Sequence, residues 1–197
     1  MTLPKAEHTA RPWRIHEIAP DFHVEDVWAL PTPGGPDDFP RLIRQLTTFD
    51  PGEGSSRLVR LLFAIRWKVG ALLGWDEPAS DQPTLRDRLP ADLRAAAPAA
   101  PPATLPFTPL YELDDEWAAE VVNRTVHGVL HLGWVADGRG GHRGQMAVLV
   151  KRNGLLGTAY MAAITPFRHL IVYPRMLREI EREWQRPRQD SNLRPAA

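Results

Sequence analysis

The chain has 197 residues, of which 43% are hydrophobic, and this size and composition suit one globular domain and exclude a disordered chain. Lysine plus arginine and aspartate plus glutamate number 24 each, so the net charge gives no case for a nucleic-acid partner. The absence of cysteine excludes disulfides, thiolate metal sites and cysteine nucleophiles.

The N-terminal part of the chain predicts an extension followed by a strand. Residues 1–19 contain no apolar run of signal-peptide length, so we expect a cytoplasmic protein with an extension before its domain. The segment "DFHVEDVWALP" then alternates between apolar and polar residues, which predicts a half-buried strand. The apolar face of this strand would carry Phe22, Val24, Trp28 and Leu30.

Two helices and an irregular segment are expected after this strand. The first helix would begin near Asp37 or Asp38, with apolar residues at helical spacing at Phe39, Leu42, Ile43 and Leu46. The second would cover 57–75, where three basic residues interrupt any run long enough to span a membrane. We interpret it as a buried helix, with a helix lying on a membrane surface as the alternative. The Ala/Pro-rich composition within 76–106 predicts a surface excursion.

Short apolar runs separated by turn residues predict an antiparallel meander over residues 108–164. The turn signals include the "DGRGG" loop and Asn153-Gly154, a strong hairpin signal. Within this meander lies "RTVHGVLHLGW", where His127 and His131 are four residues apart. On a strand that spacing separates them by about 13 Å, too far for one metal ion. We therefore predict no metal site and no cofactor.

The last part of the chain predicts a long amphipathic helix and a disordered tail. Residues 165–184 form the helix, and Pro174 should kink it. Its apolar stripe consists of Phe167, Leu170, Ile171, Leu177, Ile180 and Trp184. Residues 186–197 have no apolar face. Because "RQDSNLRP" can be written in codons as the complement of a bacterial tRNA T-arm, our hypothesis is that the reading frame runs into a tRNA gene.

A strand, two helices, a meander and a closing helix follow one another in an order that resembles the START/Bet v 1-like (SRPBCC) superfamily. The resemblance covers residues 20–185. It implies an α+β helix-grip fold, in which a curved antiparallel sheet wraps around the C-terminal helix, with two short helices after the first strand.

The amino-acid sequences of two segments give a narrower resemblance. "DEWAAEVVNRTVHGVLHLGWV" and "GLLGTAYMAAITPFRHLIVYPRMLREIEREW" are similar to an uncharacterised bacterial DUF2867-type domain. Members sometimes follow an NAD(P)-binding epimerase-like domain, but the family carries no established catalytic residues. This chain has no Gly-rich dinucleotide fingerprint, so such a partner would be a separate protein.

Candidate binding residues lie on the apolar faces of the strands and of the closing helix. A cavity between sheet and helix would be lined by Trp28, Leu130, Trp134, Met146, Val148, Tyr160, Met161, Leu170 and Tyr173. Polar candidates are His127, His131 and Arg168, the last able to pair with an acidic ligand group. Whether the two histidines face solvent or the cavity stays open. The cluster of Asp114, Asp115 and Glu116 is interpreted as a solvated turn.

These observations lead us to expect a domain that binds a hydrophobic or amphipathic small molecule, lipid-like or polyketide-like, without catalysis. The first alternative is a cyclase or dehydratase using His131, His127 or Tyr160 as acid or base. The second is a protein-interaction domain whose pocket is filled by its own side chains.

Overall fold

The computed structural model describes residues 1–47, 83–97, 107–122, 126–152, 165 and 168–186. Its centre is an antiparallel sheet of five strands in the order β1-β5-β4-β3-β2. The strands are β1 (His23–Ala29), β2 (Thr108–Glu112), β3 (Glu116–Val122), β4 (Val126–Ala136) and β5 (His142–Arg152). The α+β class and the meander over 108–152 are thereby confirmed. The last predicted strand, the helix over 57–75 and the tail after 186 lie outside the described residues.

Short helices surround this sheet. They are α1 (Ala6–Thr9), α2 (Ile15–Ile18), α3 (Phe39–Thr47), α4 (Ala91–Ala95) and the C-terminal helix α5 (Tyr173–Gln185). Short 3₁₀ turns cover Pro36–Asp38 and Leu85–Arg88, and a wider π-helical turn covers Arg168–Val172. Thus α3 begins where the sequence predicts a helix.

Both faces of the sheet are covered. On one face, which we call the helix face, α3 and α5 pack on strand residues, with Phe39, Ile180 and Trp184 in one cluster with Trp134 and Met146. On the other, the N-terminal face, α1, α2 and the segment 83–97 pack on a second apolar cluster. Burial of the sheet on both sides explains why most positions of β4 and the continuous run Met146–Val150 of β5 are apolar.

Residues 1–19, expected as an extension before the domain, pack against the sheet. Ile15 and Ile18 of α2 are buried, and so is His8 of α1. The backbone of Met1 and Leu3 bonds to Ala29 and Val27 of the edge strand β1. The chain start therefore contributes to the core of the N-terminal face.

A β-bulge divides the side chains of β1 between the two faces, which corrects the single apolar face expected from alternation. The register to β5 shifts between Val24 and Asp26. Phe22 and Val24 consequently pack on the N-terminal face, whereas Trp28 packs on the helix face. An extra residue in one strand reverses the side-chain alternation beyond it.

The segment 83–97 differs from the surface excursion expected for 76–106. Its leucines Leu85, Leu89 and Leu93 are all buried on the N-terminal face. Although they come from a 3₁₀ turn, an extended residue and α4, all three belong to the same apolar cluster. Their burial anchors this segment, although alanine and proline dominate the residues around it.

The closing helix starts as a π-helical turn and continues as α5, with Pro174 in its first turn. Proline is tolerated there because the first turn of an α-helix leaves its N–H groups without intrahelical partners. Ile180 and Trp184 of the predicted stripe are buried, but Leu170 is 77% exposed, which corrects its assignment to that stripe. A π turn contains more residues than an α turn, so the residues before Tyr173, Leu170 among them, point in other directions than the predicted apolar stripe requires.

Within the parts of the chain that the structure describes, no helix has the length and apolar character required to cross a membrane.

Candidate functional site

Four polar side chains meet where the closing helix begins on the helix face. The Tyr173 hydroxyl donates to Oδ2 of Asp26 at 2.9 Å, and Nε2 of His169 donates to Oδ1 at 2.7 Å. The guanidinium of Arg168 pairs with the same carboxylate and also donates to the Tyr173 hydroxyl. We call Asp26, Arg168, His169 and Tyr173 the Asp26 cluster.

Two local irregularities in the backbone bring this cluster together. The bulge in β1 turns Asp26 towards the helix face. The π-helical turn spans five residues from Arg168, so Arg168 and Tyr173 stand one wide turn apart, and Nε of Arg168 lies 3.1 Å from the Tyr173 hydroxyl. Single π turns inside helices occur frequently at functional sites.

The cluster lies at the boundary between core and solvent. The Asp26 side chain is 9% exposed, that of Arg168 is 14% exposed and that of His169 is 33% exposed. Burial raises the pKa of Tyr173, so its hydroxyl keeps the proton that it donates to Asp26. Arg168 and His169 are thus the members that a ligand in solvent can reach.

A row of apolar side chains leads from the middle of the sheet to this cluster. In the strand register, Leu130 of β4 pairs with Val148 of β5, and Val148 pairs with Asp26 of β1. Leu130 and Val148 are half-buried. In the next row Trp28, Met146 and Leu132 are buried, and the Trp28 ring lies 4.8 Å from the Tyr173 ring. The site has one apolar part and one polar end.

The structure brings together six of the candidate residues named from the sequence: Trp28, Leu130, Met146, Val148, Arg168 and Tyr173. Trp134 lies on the same face, where its Nε1 donates to the carbonyl of Gly35 and its ring neighbours Trp184. Leu170 points to solvent, and Tyr160 and Met161 lie outside the described residues. Sequence reasoning missed Asp26 and His169 as functional groups.

His127 and His131 lie on the N-terminal face, away from α5, and both are buried. Their strand is confirmed as β4, and the question left open by the sequence is answered by their burial: they face neither solvent nor α5. Nε2 of His131 lies 3.0 Å from Oε1 of Glu116, and its Nδ1 lies 3.1 Å from Nε2 of His8. The three side chains form a buried chain that we call the Glu116 relay.

Glu116 binds more donors than His131 alone. The backbone N–H groups of Arg14 and Ile15 donate to its two oxygens at 2.9 and 3.0 Å, and the Tyr111 hydroxyl donates to Oε1. Glu116 is 2% exposed, so the prediction of a solvated turn holds for Asp114 and Asp115 but not for Glu116. Its carboxylate caps the first turn of α2.

The electrostatics of the relay fix its protonation. Burial alone would raise the pKa of Glu116, but the hydrogen bonds from His131 and Tyr111 outweigh it and place the pKa below its usual range. Burial lowers the pKa of His131, and burial together with His131 lowers the pKa of His8 to about 3. Neutral His131 therefore donates from Nε2 to the carboxylate and accepts at Nδ1 from His8.

A second glutamate–histidine pair lies four residues further along each of the two strands. Nε2 of His127 lies 2.8 Å from Oε2 of Glu120, and the same oxygen accepts from the N–H of Leu85 at 2.9 Å. Glutamates four residues apart on β3 thus pair with histidines four residues apart on β4. That spacing on two consecutive antiparallel strands is a sequence signal that could have identified both pairs.

The described residues contain no group of three or more histidine, aspartate or glutamate side chains placed to hold a metal ion. The model of a family described as a protein of unknown function (DUF2867) matches residues 18–175. Comparison with curated proteins and with solved structures returns no match.

Proposed function

The chain belongs to the DUF2867 family of proteins of unknown function, and we propose that its domain binds an amphipathic small molecule, lipid-like or polyketide-like, on the helix face. The apolar part of the ligand would lie along Leu130 and Val148 beneath α5. Its polar end would meet Arg168 and His169 of the Asp26 cluster. This orientation uses both parts of the site.

The partial exposure of Leu130 is the observation that carries the proposal. β4 is the middle strand of five, and its neighbour Leu132 on the same face is 1% exposed. Leu130 and its partner Val148 are only half-buried, although helices pack on this face. An apolar surface left open inside a covered face is typical of a ligand site.

Apolar contact would supply most of the affinity. Removing about 300 Å² of ligand surface from water contributes about 7 kcal/mol at ~25 cal/mol per Å², before the entropic cost of binding is subtracted. Arg168 and His169 would add orientation, since both donate N–H groups and keep part of their surface in solvent. A carboxylate or a hydroxyl on the ligand would accept from the remaining N–H groups of the Arg168 guanidinium.

The proposal includes the helix-grip architecture. The edge strand β1 pairs with β5 at the end of the meander, and α5 packs on one face of the resulting sheet. A ligand between that sheet and that helix occupies the place that the START/Bet v 1-like resemblance implies.

Binding without turnover is favoured over acid–base catalysis. Asp26 accepts from three side chains, so both of its oxygens already have donor partners within the protein. His131 and His127, the bases of the enzyme alternative, are buried on the opposite face and paired with Glu116 and Glu120.

Titration with the amphipathic fluorophore 1-anilinonaphthalene-8-sulfonate tests the site. We expect saturable binding to the folded protein, and Val148→Phe should weaken it about tenfold because the added ring fills the open space. Val122→Phe is the matched control, since Val122 is equally half-buried but extends from β3 on the N-terminal face.

Urea unfolding of both variants verifies that they stay folded. Binding that Val148→Phe leaves unchanged, or that Val122→Phe weakens equally, would refute a ligand site on the helix face.

A further inference from the structure

A concavity lies on the N-terminal face, separate from the site proposed above. A cleft of about 750 Å³ opens between α1, α2 and the first half of β1. Its walls include Lys5 just before α1, Thr9 at the end of α1, His16 of α2 and His23 of β1. The bulge after Val24 separates it from the Asp26 cluster, because Val24 and Asp26 point to opposite faces.

The floor of the cleft is apolar. Phe22 and Leu149 are buried there, and Val24 is half-buried. The volume falls within the range of about 300–1,000 Å³ that is typical of small-molecule sites. A ligand that covered Val24 and the open edge of Phe22 would gain affinity from apolar contact.

The rim of the cleft is rich in hydrogen-bond donors. Lys5 is exposed, and none of the ion pairs among the described residues includes it. His16 is held in place by His8, whose carbonyl lies 3.4 Å from Nε2 of His16 and whose ring meets the His16 ring edge-on at 4.9 Å. The carboxylate at the rim, Glu25, has an interaction of its own within the chain.

Asp21, which directly precedes Phe22 of the cleft floor, is also paired within the chain. Asp21 accepts from Arg88 at 2.6 Å and from Lys151 at 2.8 Å, so its charge is compensated. The uncompensated charge at the cleft is therefore the ammonium group of Lys5, which favours an anion.

We propose that this cleft binds a small apolar carboxylic acid, with its carboxylate at Lys5 and its hydrocarbon part on Phe22 and Val24. The carboxylate accepts from the ammonium group and from the Thr9 hydroxyl or the His23 imidazole at the rim. The site is independent of the ligand proposed for the helix face, since β1 separates the two.

Calorimetric titration of the full chain with octanoate, octanol and octylammonium tests the head group. We expect octanoate to bind most tightly and Lys5→Gln to weaken it about three- to fivefold, as the loss of one exposed ion pair predicts. Lys5→Arg should restore the affinity. Arg178→Gln, which removes a cation from α5, is the matched control and should leave octanoate binding unchanged.

Val24→Phe should weaken octanoate binding because the added ring occupies the apolar floor at Val24, whereas Val148→Phe on the helix face should leave binding intact. These two variants distinguish a wrong assignment of the carboxylate site to the cleft from a wrong assignment of the ligand site to the helix face. Equal binding of the three head groups, or a loss of octanoate affinity in Val148→Phe instead of Val24→Phe, would overturn the proposal.

Discussion

Glu116 is the residue whose replacement should destabilise the fold most among the polar groups described above. Its carboxylate accepts from the Arg14 and Ile15 N–H groups, from His131 and from the Tyr111 hydroxyl, all with little exposure to solvent. Glu116→Leu leaves these four donors without an acceptor. Each unsatisfied buried donor costs about 1–3 kcal/mol, partly relieved by relaxation.

The expected loss is about 3–5 kcal/mol of unfolding free energy, because four buried donors lose their acceptor and relaxation offsets only part of the cost. Glu116→Gln keeps one acceptor oxygen and should cost less, about 2 kcal/mol. Urea unfolding followed by tryptophan fluorescence measures both values. Glu112→Gln, at an exposed position on β2, is the matched control and should change the free energy by less than about 0.5 kcal/mol.

A double-mutant cycle connects this loss to the relay. If Glu116 and His131 act through one buried pair, the cost of Glu116→Leu should shrink in a His131→Leu background, because one donor has gone. Additive costs in the two variants, or a loss below about 1 kcal/mol for Glu116→Leu, would refute the assignment of Glu116 as the anchor of α2.

Two further predictions concern the N-terminal face. The pKa of His8 is lowered to about 3 by burial and by His131, so between pH 6.5 and 3 the unfolded chain binds a proton that the folded chain does not, and stability falls as the pH falls. His8→Gln should therefore reduce the loss of unfolding free energy between pH 7 and 4.5 by about 2 kcal/mol, measured by urea unfolding. An unchanged loss would contradict a neutral buried His8. Gly133→Ala should lower the unfolding free energy by about 1–3 kcal/mol, because a Cβ there would lie 2.6 Å from the Trp13 ring. The control Gly35→Ala, where the nearest atom would be 3.8 Å from the new Cβ, should cost much less. Equal thermal midpoints for the two variants would exclude close packing at Gly133.

The sequence predicted the elements whose signal is local. Alternation and turn residues identified β1 and the meander, and helical spacing identified α3 and the closing helix. The alternation of β4 also separated Leu130, Leu132 and Trp134 from His127 and His131 correctly. These patterns suffice because each depends on residues that are close in the chain.

The candidate site was predictable only in part, because its polar members depend on irregularities of the backbone. Trp28, Val148 and Tyr173 were identified as apolar residues near the closing helix. Asp26 was missed because a bulge has no signature in the alternation, and Leu170 was misplaced because the π turn shifts the stripe. Glu116 was assigned to solvent from its position beside a turn, since its partners are distant in sequence.

The bulge in β1 explains how one strand serves both faces. Under strict alternation Asp26 would share the face of Phe22 and Val24, next to the apolar floor of the cleft, and an unpaired carboxylate there would be strongly unfavourable. Arg168 and His169 would then reach the sheet without a counter-charge. With the bulge, the side chain of Asp26 contacts Arg168 and His169 of the π turn, whereas Phe22 and Val24 point to the N-terminal face and form the floor of the cleft. The two irregularities are therefore coupled, because the π turn supplies the donors, Arg168 and His169, that the carboxylate of Asp26 requires.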